Sequence, residues 1–347
     1  MSEKKISKGI IALLLVVIVI LAGMVVYYAT KPPPKPLTHI RFTTGWVLGG
    51  YASPYILAFQ KGFFAEEGLD VKIVRGYGAG DAVMKVAAGT YDAAHADLST
   101  LMEFKARNPD ADVIAICIIY DYAPFSIVTI RDRGIKEPKD LENRKISSIA
   151  AEPSRLLFPL FAKKVGIDEK TITWVTVSAE LRSSMVLKGE VDAVAGYCTT
   201  VAGEMDGLGV PLKDLVIFRY SDYGLPLFGN AIVVRETWLK DHPEEVKAVI
   251  RGWLYTKEHP DEALDTLLKQ EPLLDRKAEE LNLRLVLDLL VFTPRVNEHG
   301  LGYASEDEIK KAIDAIVEGY NLPGKPPIEE IYTSKFLPPI EERLPPK

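Results

Sequence analysis

Aromatic residues flanked by glycine recur in this sequence just after short β-rich runs, and rings placed in this way can hold a flat ligand. The pattern is "GW" at Trp46, "GGY" at Tyr51, "GY" at Tyr197 and "FGN" at Phe228, while Tyr122 follows another apolar run. Each aromatic pair contributes roughly 0.5–1.5 kcal/mol beyond the burial of its area. For each single ring the alternative is packing in the core or at a hinge. We predict that these rings together enclose a planar small molecule.

Acidic and amide side chains stand at the ends of the same runs and could hydrogen-bond the edges of that molecule. Asp97, Glu152 and Asn230 are the candidates, because ligand sites combine apolar walls with a few polar groups that fix orientation. Ser154 and Arg155, at a predicted helix start, could instead hold a carboxylate or sulfonate. An exposed arginine on a capped helix is the equal alternative.

Two further segments with charged residues are assigned structural roles. The segment "RGYGAGDA" (75–82) lacks the full phosphate-binding fingerprint and is predicted to be a flexible turn capped by Asp81. Glu180 and Arg182 open a predicted helix, and we expect them on a solvated face; contact with the ligand is the alternative.

The remaining reactive residues do not form a catalytic or metal-binding pattern. The five histidines are scattered, and neither His-Glu-x-x-His nor Gly-x-Ser-x-Gly occurs. Cys117 and Cys198 are far apart and give no disulfide framework or metal spacing. We therefore expect no catalytic residue, metal or cofactor. The net charge of −6, with a basic N-terminus, makes the rest of the chain strongly acidic, which excludes nucleic acid as a partner.

Short β-branched runs alternate with helical stretches after residue 37, which predicts an α/β fold. The predicted elements are a strand at 39–43, a helix from 54, a strand at 71–74, a helix at 82–88 and a strand at 92–96. In open α/β sheets, ligands collect at the carboxyl ends of the strands, where the aromatic and acidic residues stand.

Two segments repeat one pattern of helix, Gly-x-x-Asp-Ala and apolar strand. They are "AVMKVAAGTYDAAHAD" (82–97) and "SSMVLKGEVDAVAGYC" (183–198). A helix that stops at a glycine and turns directly into a strand gives this pattern. One such unit in each half of the chain predicts two similar α/β lobes.

The segment from "GWVLGGYASPYILAFQKGFFAEEGLDVKI" to "GAGDAVMKVAAGTYDAAHAD" resembles the opening of periplasmic solute-binding proteins of ABC importers. The branch it resembles contains binders of thiamine pyrimidines, sulfonates, taurine and nitrate. Further similar stretches are "IKEPKDLENRKIS" (135–147), "LKGEVDAVAGY" (187–197) and "NAIVVRETWLKDHPEEVKAVIRGW" (230–253), so that the resemblance covers residues 38–340.

The resemblance implies a two-lobed periplasmic-binding-protein type II fold with two hinge crossovers. Lobe I would comprise 38–122 and 222–340, lobe II would comprise 123–221, and the ligand cleft would lie between them. Lobes of this kind close around a ligand by hinge motion and present a closed shape to a membrane permease. The implied partners are a small ligand, an ABC permease and its ATPase, and the chain is expected to be a monomer.

The implied function is capture of a small heteroaromatic ligand, either a thiamine pyrimidine precursor or a riboflavin-like ring. The alternatives are a sulfonate-, taurine- or nitrate-binding subunit and a ligand-sensing ectodomain. A related scaffold is the thiamine pyrimidine synthase, which uses a lysine and a histidine at the positions of Ala96 and Thr100 and a cysteine cluster at 225–230. Because these groups are missing here, we expect the chain not to be an enzyme.

The N-terminus carries an apolar run without charged residues from Ile10 to Ala29, after three lysines. At about 1.5 Å per residue it would cross the roughly 30 Å hydrocarbon core. We predict a cytoplasmic segment at 1–9, a transmembrane anchor at 10–30 and a Pro-rich spacer at 31–37, which place the bulk of the chain outside the cell as a single-pass membrane protein. A long cleaved signal peptide is the alternative.

Overall fold

The computed structural model describes residues 17–23, 37–150, 152–225, 227–239 and 245–346. The chain divides into two compact units, Met1–Leu37 and Thr38–Lys347. In the first unit, residues 17–23 are helical with exposed side chains. The predicted anchor at 10–30, spacer at 31–37 and cytoplasmic segment at 1–9 lie largely outside the described residues. Within the described ranges, no helix has the length and apolar character needed to cross a membrane.

The second unit is built on two five-stranded sheets. The strands are β1 (Thr38–Thr43), β2 (Leu69–Val74), β3 (Ala93–Asp97), β4 (Ile114–Ile118), β5 (Phe125–Ile130), β6 (Lys145–Ser148), β7 (Thr173–Thr176), β8 (Ala193–Tyr197), β9 (Leu215–Arg219) and β10 (Asn230–Val234). The first sheet has the order β2-β1-β3-β10-β4 and the second β7-β6-β8-β5-β9. In each sheet the fourth strand is antiparallel to both neighbours and the first three are parallel. The two sheets therefore have one topology, as the repeated sequence pattern predicts.

Helices cover both sheets. They are α1 (Ser53–Gln60), α2 (Phe63–Glu66), α3 (Ala79–Ala87), α4 (Leu98–Arg107), α5 (Pro153–Leu156), α6 (Phe158–Val165), α7 (Ala179–Lys188), α8 (Cys198–Gly207), α9 (Glu236–Leu239), α10 (Glu245–Glu258), α11 (Pro260–Gln270), α12 (Arg276–Val286), α13 (Pro294–His299) and α14 (Glu306–Gly319). Alternating apolar residues in β3, β4 and β10 point to two different buried clusters, so the first sheet is covered on both faces.

The repeated Gly-x-x-Asp motif has one physical role in both sheets. The carboxylate of Asp92 accepts a hydrogen bond of 2.9 Å from the backbone N–H of Arg41 in β1, and that of Asp192 accepts one of 2.8 Å from Lys145 in β6. An arginine adjoins each carboxylate, Arg41 at 2.8 Å and Arg144 at 3.4 Å. Each aspartate thus fixes the start of one strand against its parallel neighbour.

The chain crosses from the first sheet to the second through residues 119–124 and returns through 220–229. Asp121, in the first crossover, is 4% exposed and accepts hydrogen bonds from Thr293 and from the guanidinium of Arg295. Arg295 also donates to Glu308 at 2.7 Å and lies 5.3 Å from the ring centroid of Phe228 in the second crossover. One arginine therefore contacts both crossovers.

We expect Arg295→Leu to lower the free energy of unfolding by about 3–5 kcal/mol, because it leaves the Asp121 carboxylate buried without its charge partner. Urea denaturation of the full chain measures this change. Arg284→Leu is the matched control, since Arg284 pairs with Glu280 on an exposed helix face and contributes about 0.5 kcal/mol or less. Equal losses in the two variants would contradict the role assigned to Arg295.

Candidate functional site

A cavity of 320 Å³ lies between the two sheets. Most of its wall comes from residues at or after the carboxyl ends of β1, β2, β3, β4, β6 and β8. The first residue of β10, Arg182 on α7 and Tyr320 after α14 complete it. The carboxyl ends of the strands form the edge at which α/β sheets bind ligands, because the loops there are free of the sheet and carry helix N-termini. Two sheets of the same topology face each other across the cavity with equivalent edges.

Five of the predicted site residues line the cavity: Trp46, Tyr51, Glu152, Tyr197 and Asn230. Asp97 does not line it and is fully buried at the end of β3, where its Oδ1 accepts from the backbone N–H of Thr100 at 2.8 Å and caps α4. Burial raises the pKa of Asp97 to about 7. That these residues bind a ligand stays a prediction.

Glycines explain how Trp46 comes to stand at the cavity. Gly45 has a φ of +76°, and a Cβ there would lie 2.2 Å from the carbonyl oxygen of His95 on β3. The carbonyl of Trp46 accepts from Gly76 N at 2.7 Å and from Thr44 Oγ1 at 2.8 Å. The turn is therefore fixed against two neighbouring segments, while the indole itself is half-buried.

Tyr51 is held by a different device. Its backbone N–H donates to Asn282 Oδ1 at 2.9 Å, and the N–H of Gly50 donates to Glu279 Oε2 at 2.6 Å. Both acceptors belong to α12. The phenol oxygen donates to the carbonyl of Val47 at 3.0 Å, so the ring has a fixed place in the cavity wall.

The remaining predicted residues do not line the cavity, so their predicted place in its wall was wrong. Tyr122 is 41% exposed in the first crossover, and Phe228 packs against Arg295 at the hinge. Arg155 points away from the cavity, since it donates to Thr176 Oγ1 at 2.7 Å and lies over the ring of Trp174. Local packing directs these side chains away from the cavity: Phe228 is buried in the core, whereas Tyr122 is exposed.

Ser154 is buried behind Glu152 rather than facing the cavity. Its hydroxyl lies 3.4 Å from Glu152 Oε1, and its carbonyl accepts a hydrogen bond from the Tyr220 hydroxyl. The serine therefore positions the glutamate.

Arg182 was expected on a solvated face, but it is 2% exposed and lines the cavity. Its guanidinium lies 2.7 Å from Glu204 Oε1 and 3.4 Å from Glu152 Oε2. Gly196 on β8 makes room for it, because a Cβ there would lie 2.9 Å from Arg182 Nη1. Burial raises the pKa of Glu152, and the adjacent guanidinium opposes this shift.

Acidic side chains outnumber basic ones in the described cavity wall. Arg182 is the one Arg or Lys among its described lining residues and already has two carboxylate partners, whereas Glu103 and Asp81 also line the wall. Asp81 is paired with Lys85 at 2.9 Å. The arrangement favours a neutral or cationic ligand that donates hydrogen bonds over an anion.

Sequence reasoning missed several other lining residues, among them Tyr77, His95, Tyr120 and Tyr320. Tyr77 and Asp81 belong to the segment 75–82 that was predicted to be a flexible turn. Its glycines were a usable signal, because Gly76 packs against Gly45 beside Trp46. Tyr320 had no local signal, since it reaches the cavity from the C-terminal end of α14.

The fold defines a two-sheet α/β protein with a cavity between the sheets. The chain belongs to the NMT1/THI5-like family, whose model matches residues 50–263. It is 26% identical to the formylaminopyrimidine-binding protein of Halalkalibacterium halodurans over 67% of this chain and 72% of that protein. It is 25% identical to the riboflavin-binding protein RibY of Chloroflexus aurantiacus over 82% of each. The resemblance found in the sequence is thus confirmed.

The fold is similar to that of the alkanesulfonate-binding protein SsuA of Xanthomonas axonopodis pv. citri bound to MOPS. The TM-score is 0.65 and the identity 14%, over 86% of this chain and 99% of that one. This likeness confirms the two-sheet α/β architecture of periplasmic binding proteins. It concerns the fold alone.

The expectation that the chain lies outside the enzymes was wrong. The relatives include the 4-amino-5-hydroxymethyl-2-methylpyrimidine phosphate synthase of Legionella pneumophila, 24% identical over 68% of this chain and 74% of that protein. Further relatives of 22–25% identity carry the same name. The family therefore contains enzymes as well as binding proteins, and the residues Ala96 and Thr100 do not suffice to separate this chain from them.

The buried Asp97 gives a pH-dependent prediction. In the folded chain Asp97 keeps its proton up to a pKa of about 7, whereas an unfolded aspartate loses it near 3.8. Between these values the folded state binds more protons, so its stability falls as the pH rises, by at most about 1.4 kcal/mol per unit. Asp97→Asn keeps the Oδ1 cap and removes this titration. We expect wild-type stability, relative to the variant, to decrease from pH 4 to 7 and then to level off.

Urea denaturation at unit steps of pH measures that difference. The control is Asp275→Asn, which removes the carboxylate from an exposed cap that accepts from Ala278 N at 2.8 Å. The control should show no comparable change between pH 5 and 7. A flat difference for Asp97→Asn over this range would refute the assignment.

Proposed function

We propose that this chain is the extracytoplasmic solute-binding component of an ABC importer and captures a small heteroaromatic ligand between its two sheets. The observation that carries the proposal is a cavity walled by rings from both sheets, Trp46, Tyr51 and Tyr77 from one side and Tyr197 from the other. A ligand that contacts both sides stabilises the closed arrangement, which a permease can recognise.

The size of the cavity favours a single ring over a large fused one. Ligand sites of drug-sized molecules span roughly 300–1,000 Å³, and 320 Å³ is at the lower end of that range. A substituted pyrimidine fits such a space, in keeping with the formylaminopyrimidine-binding relative. A riboflavin-like ring is the second candidate, in keeping with RibY.

The charge of the cavity weighs against a sulfonate or nitrate. Arg182 is the one Arg or Lys among the described lining residues, and it is already held by Glu152 and Glu204. Burying a further negative charge beside these carboxylates would cost free energy. Acceptor atoms on Glu152 and Asn230 suit the amino group of a heteroaromatic ring.

The ligand class can be tested by thermal unfolding of the full chain with a pyrimidine, a flavin, an alkanesulfonate and nitrate. A ligand at 100 times its Kd stabilises the folded state by about 2.7 kcal/mol. We expect the pyrimidine to raise the Tm and the two anions to leave it unchanged. A shift with sulfonate or nitrate alone would reject the heteroaromatic proposal.

Trp46 gives the matching mutational test. Trp46→Leu should weaken binding of the pyrimidine about 30-fold, or about 2 kcal/mol, because it removes one wall of the stack. Isothermal titration calorimetry measures the Kd. Trp174→Leu is the control, since Trp174 lies away from the cavity against Arg155 and Phe158. Its Kd should equal that of the wild type, and a similar loss in both variants would contradict the proposal.

In this proposal the apolar run at 10–30 tethers the binding unit to the outer face of the cell membrane. About 20 uncharged residues in a helix match the thickness of the hydrocarbon core. After alkaline carbonate extraction of expressing cells, we expect the full chain in the membrane pellet and a variant beginning at Thr38 in the supernatant. Release of the full chain would reject the tether and leave the binding site untouched.

A further inference from the structure

His95 is a buried histidine whose ring nitrogens have no partner. It lies at the centre of β3, is 0% exposed and lines the cavity. Neither Nδ1 nor Nε2 has a hydrogen-bond partner among the described residues. Buried polar atoms are almost always hydrogen-bonded, so two free nitrogens on one side chain at a cavity wall point to a visiting group.

The surroundings hold this ring in place without using its nitrogens. Aromatic rings pack around it, with centroid distances of 5.0 Å to Tyr120, 5.3 Å to Tyr55 and 5.8 Å to Tyr51. Burial lowers the pKa of His95 to about 3, so the imidazole is neutral at physiological pH. A neutral imidazole carries one N–H donor and one acceptor.

Two neighbours on the same face of the sheet also have unpaired polar atoms. Asp97 is two residues along β3 from His95, and Asn230 on β10 is paired directly with Asp97 in the ladder. Residues two apart on a strand and residues directly opposite on its neighbour share one face. Asn230 Oδ1 and Asp97 Oδ2 are buried and without a partner among the described residues.

We propose that His95 is a specificity-determining ligand-binding residue that donates to a ring nitrogen of the ligand, while Asn230 accepts from an amino group next to that nitrogen. The ligand class is then a heteroaromatic ring with an amidine edge, as in a 4-aminopyrimidine. The inference rests on the proposed function and deepens it, because an aromatic wall alone would bind a ring whatever its edge. The neutral histidine and the amide discriminate between rings by their edge groups.

The test uses 4-amino-2-methylpyrimidine and 3-methylaniline, which differ only in the replacement of the two ring nitrogens by CH, and the full chain with His95→Phe. Phenylalanine keeps the aromatic packing and removes both nitrogens. We expect the wild type to prefer the pyrimidine at least tenfold and the variant to bind it at least tenfold more weakly, with nearly equal affinity for the two compounds. The Tm of the ligand-free variant should be unchanged or higher, because it no longer buries unpaired polar atoms.

His259→Phe is the matched control, because His259 is exposed and packs against Tyr255 outside the cavity. It should bind both compounds as the wild type does. A second variant, His95→Gln, retains a donor and an acceptor and should recover part of the preference for the pyrimidine over 3-methylaniline. The imidazole ¹⁵N resonances of His95 can be assigned because they are missing from the spectrum of His95→Gln. In the wild type these resonances should shift when 4-amino-2-methylpyrimidine is added.

The outcomes separate the two proposals. Wild-type preference for the pyrimidine over 3-methylaniline that survives in His95→Phe would overturn the role of His95 and leave the binding function standing. Equal loss of both compounds would show that His95 only shapes the cavity and would overturn the role as well. If the wild type binds neither compound but binds a sulfonate, both proposals fail.

Discussion

The ion-pair network around Arg182 sets the electrostatics of the cleft. A guanidinium that is 2% exposed needs carboxylates close by, and Glu152 and Glu204 supply them from two other segments of the second sheet and its helices. Removing Arg182 would leave the buried Glu152 carboxylate without its charge partner, at a cost of several kcal/mol. The network therefore fixes the cavity floor before any ligand arrives and leaves no free cation there.

On the opposite side of the cleft, formed by β3 and β10 of the first sheet, buried polar atoms of the described residues are left without hydrogen-bond partners. Among the residues that the structure describes, His95 and Asn230 line the cavity and have buried atoms without partners, and the rings of Tyr51 and Tyr120 pack against His95. Such an arrangement costs stability in the empty protein. A ligand with matching groups would recover that free energy. The Arg182 side thus contributes a cavity wall whose charges are already paired, and the His95 side contributes the selectivity between ligands.

The sequence predicted the α/β rhythm, the duplicated lobe and the place of Trp46 and Tyr51, because these depend on local patterns. The Gly-x-x-Asp repeat predicted two similar sheets, since Asp92 and Asp192 tie one strand pair in each. Arg182 and His95 could not be predicted in their roles, because their burial depends on contacts with distant segments. The predicted positions of Phe228 and Tyr122 in the cavity wall were wrong for the same reason. The end of a strand fixes where the backbone of a residue lies, whereas tertiary packing decides where its side chain points.

Helix α12 carries a further consequence. It binds the backbone of Gly50 and Tyr51 through Glu279 and Asn282, and its other side packs on α8, where Lys277 lies 2.9 Å from Asp206. A change in the angle between the sheets must then either separate α12 from α8 or displace Tyr51. The position of the Tyr51 ring in the cavity wall is therefore coupled to the angle between the two sheets. By reciprocity, a group that binds and holds this ring would also shift the free energy of that angle.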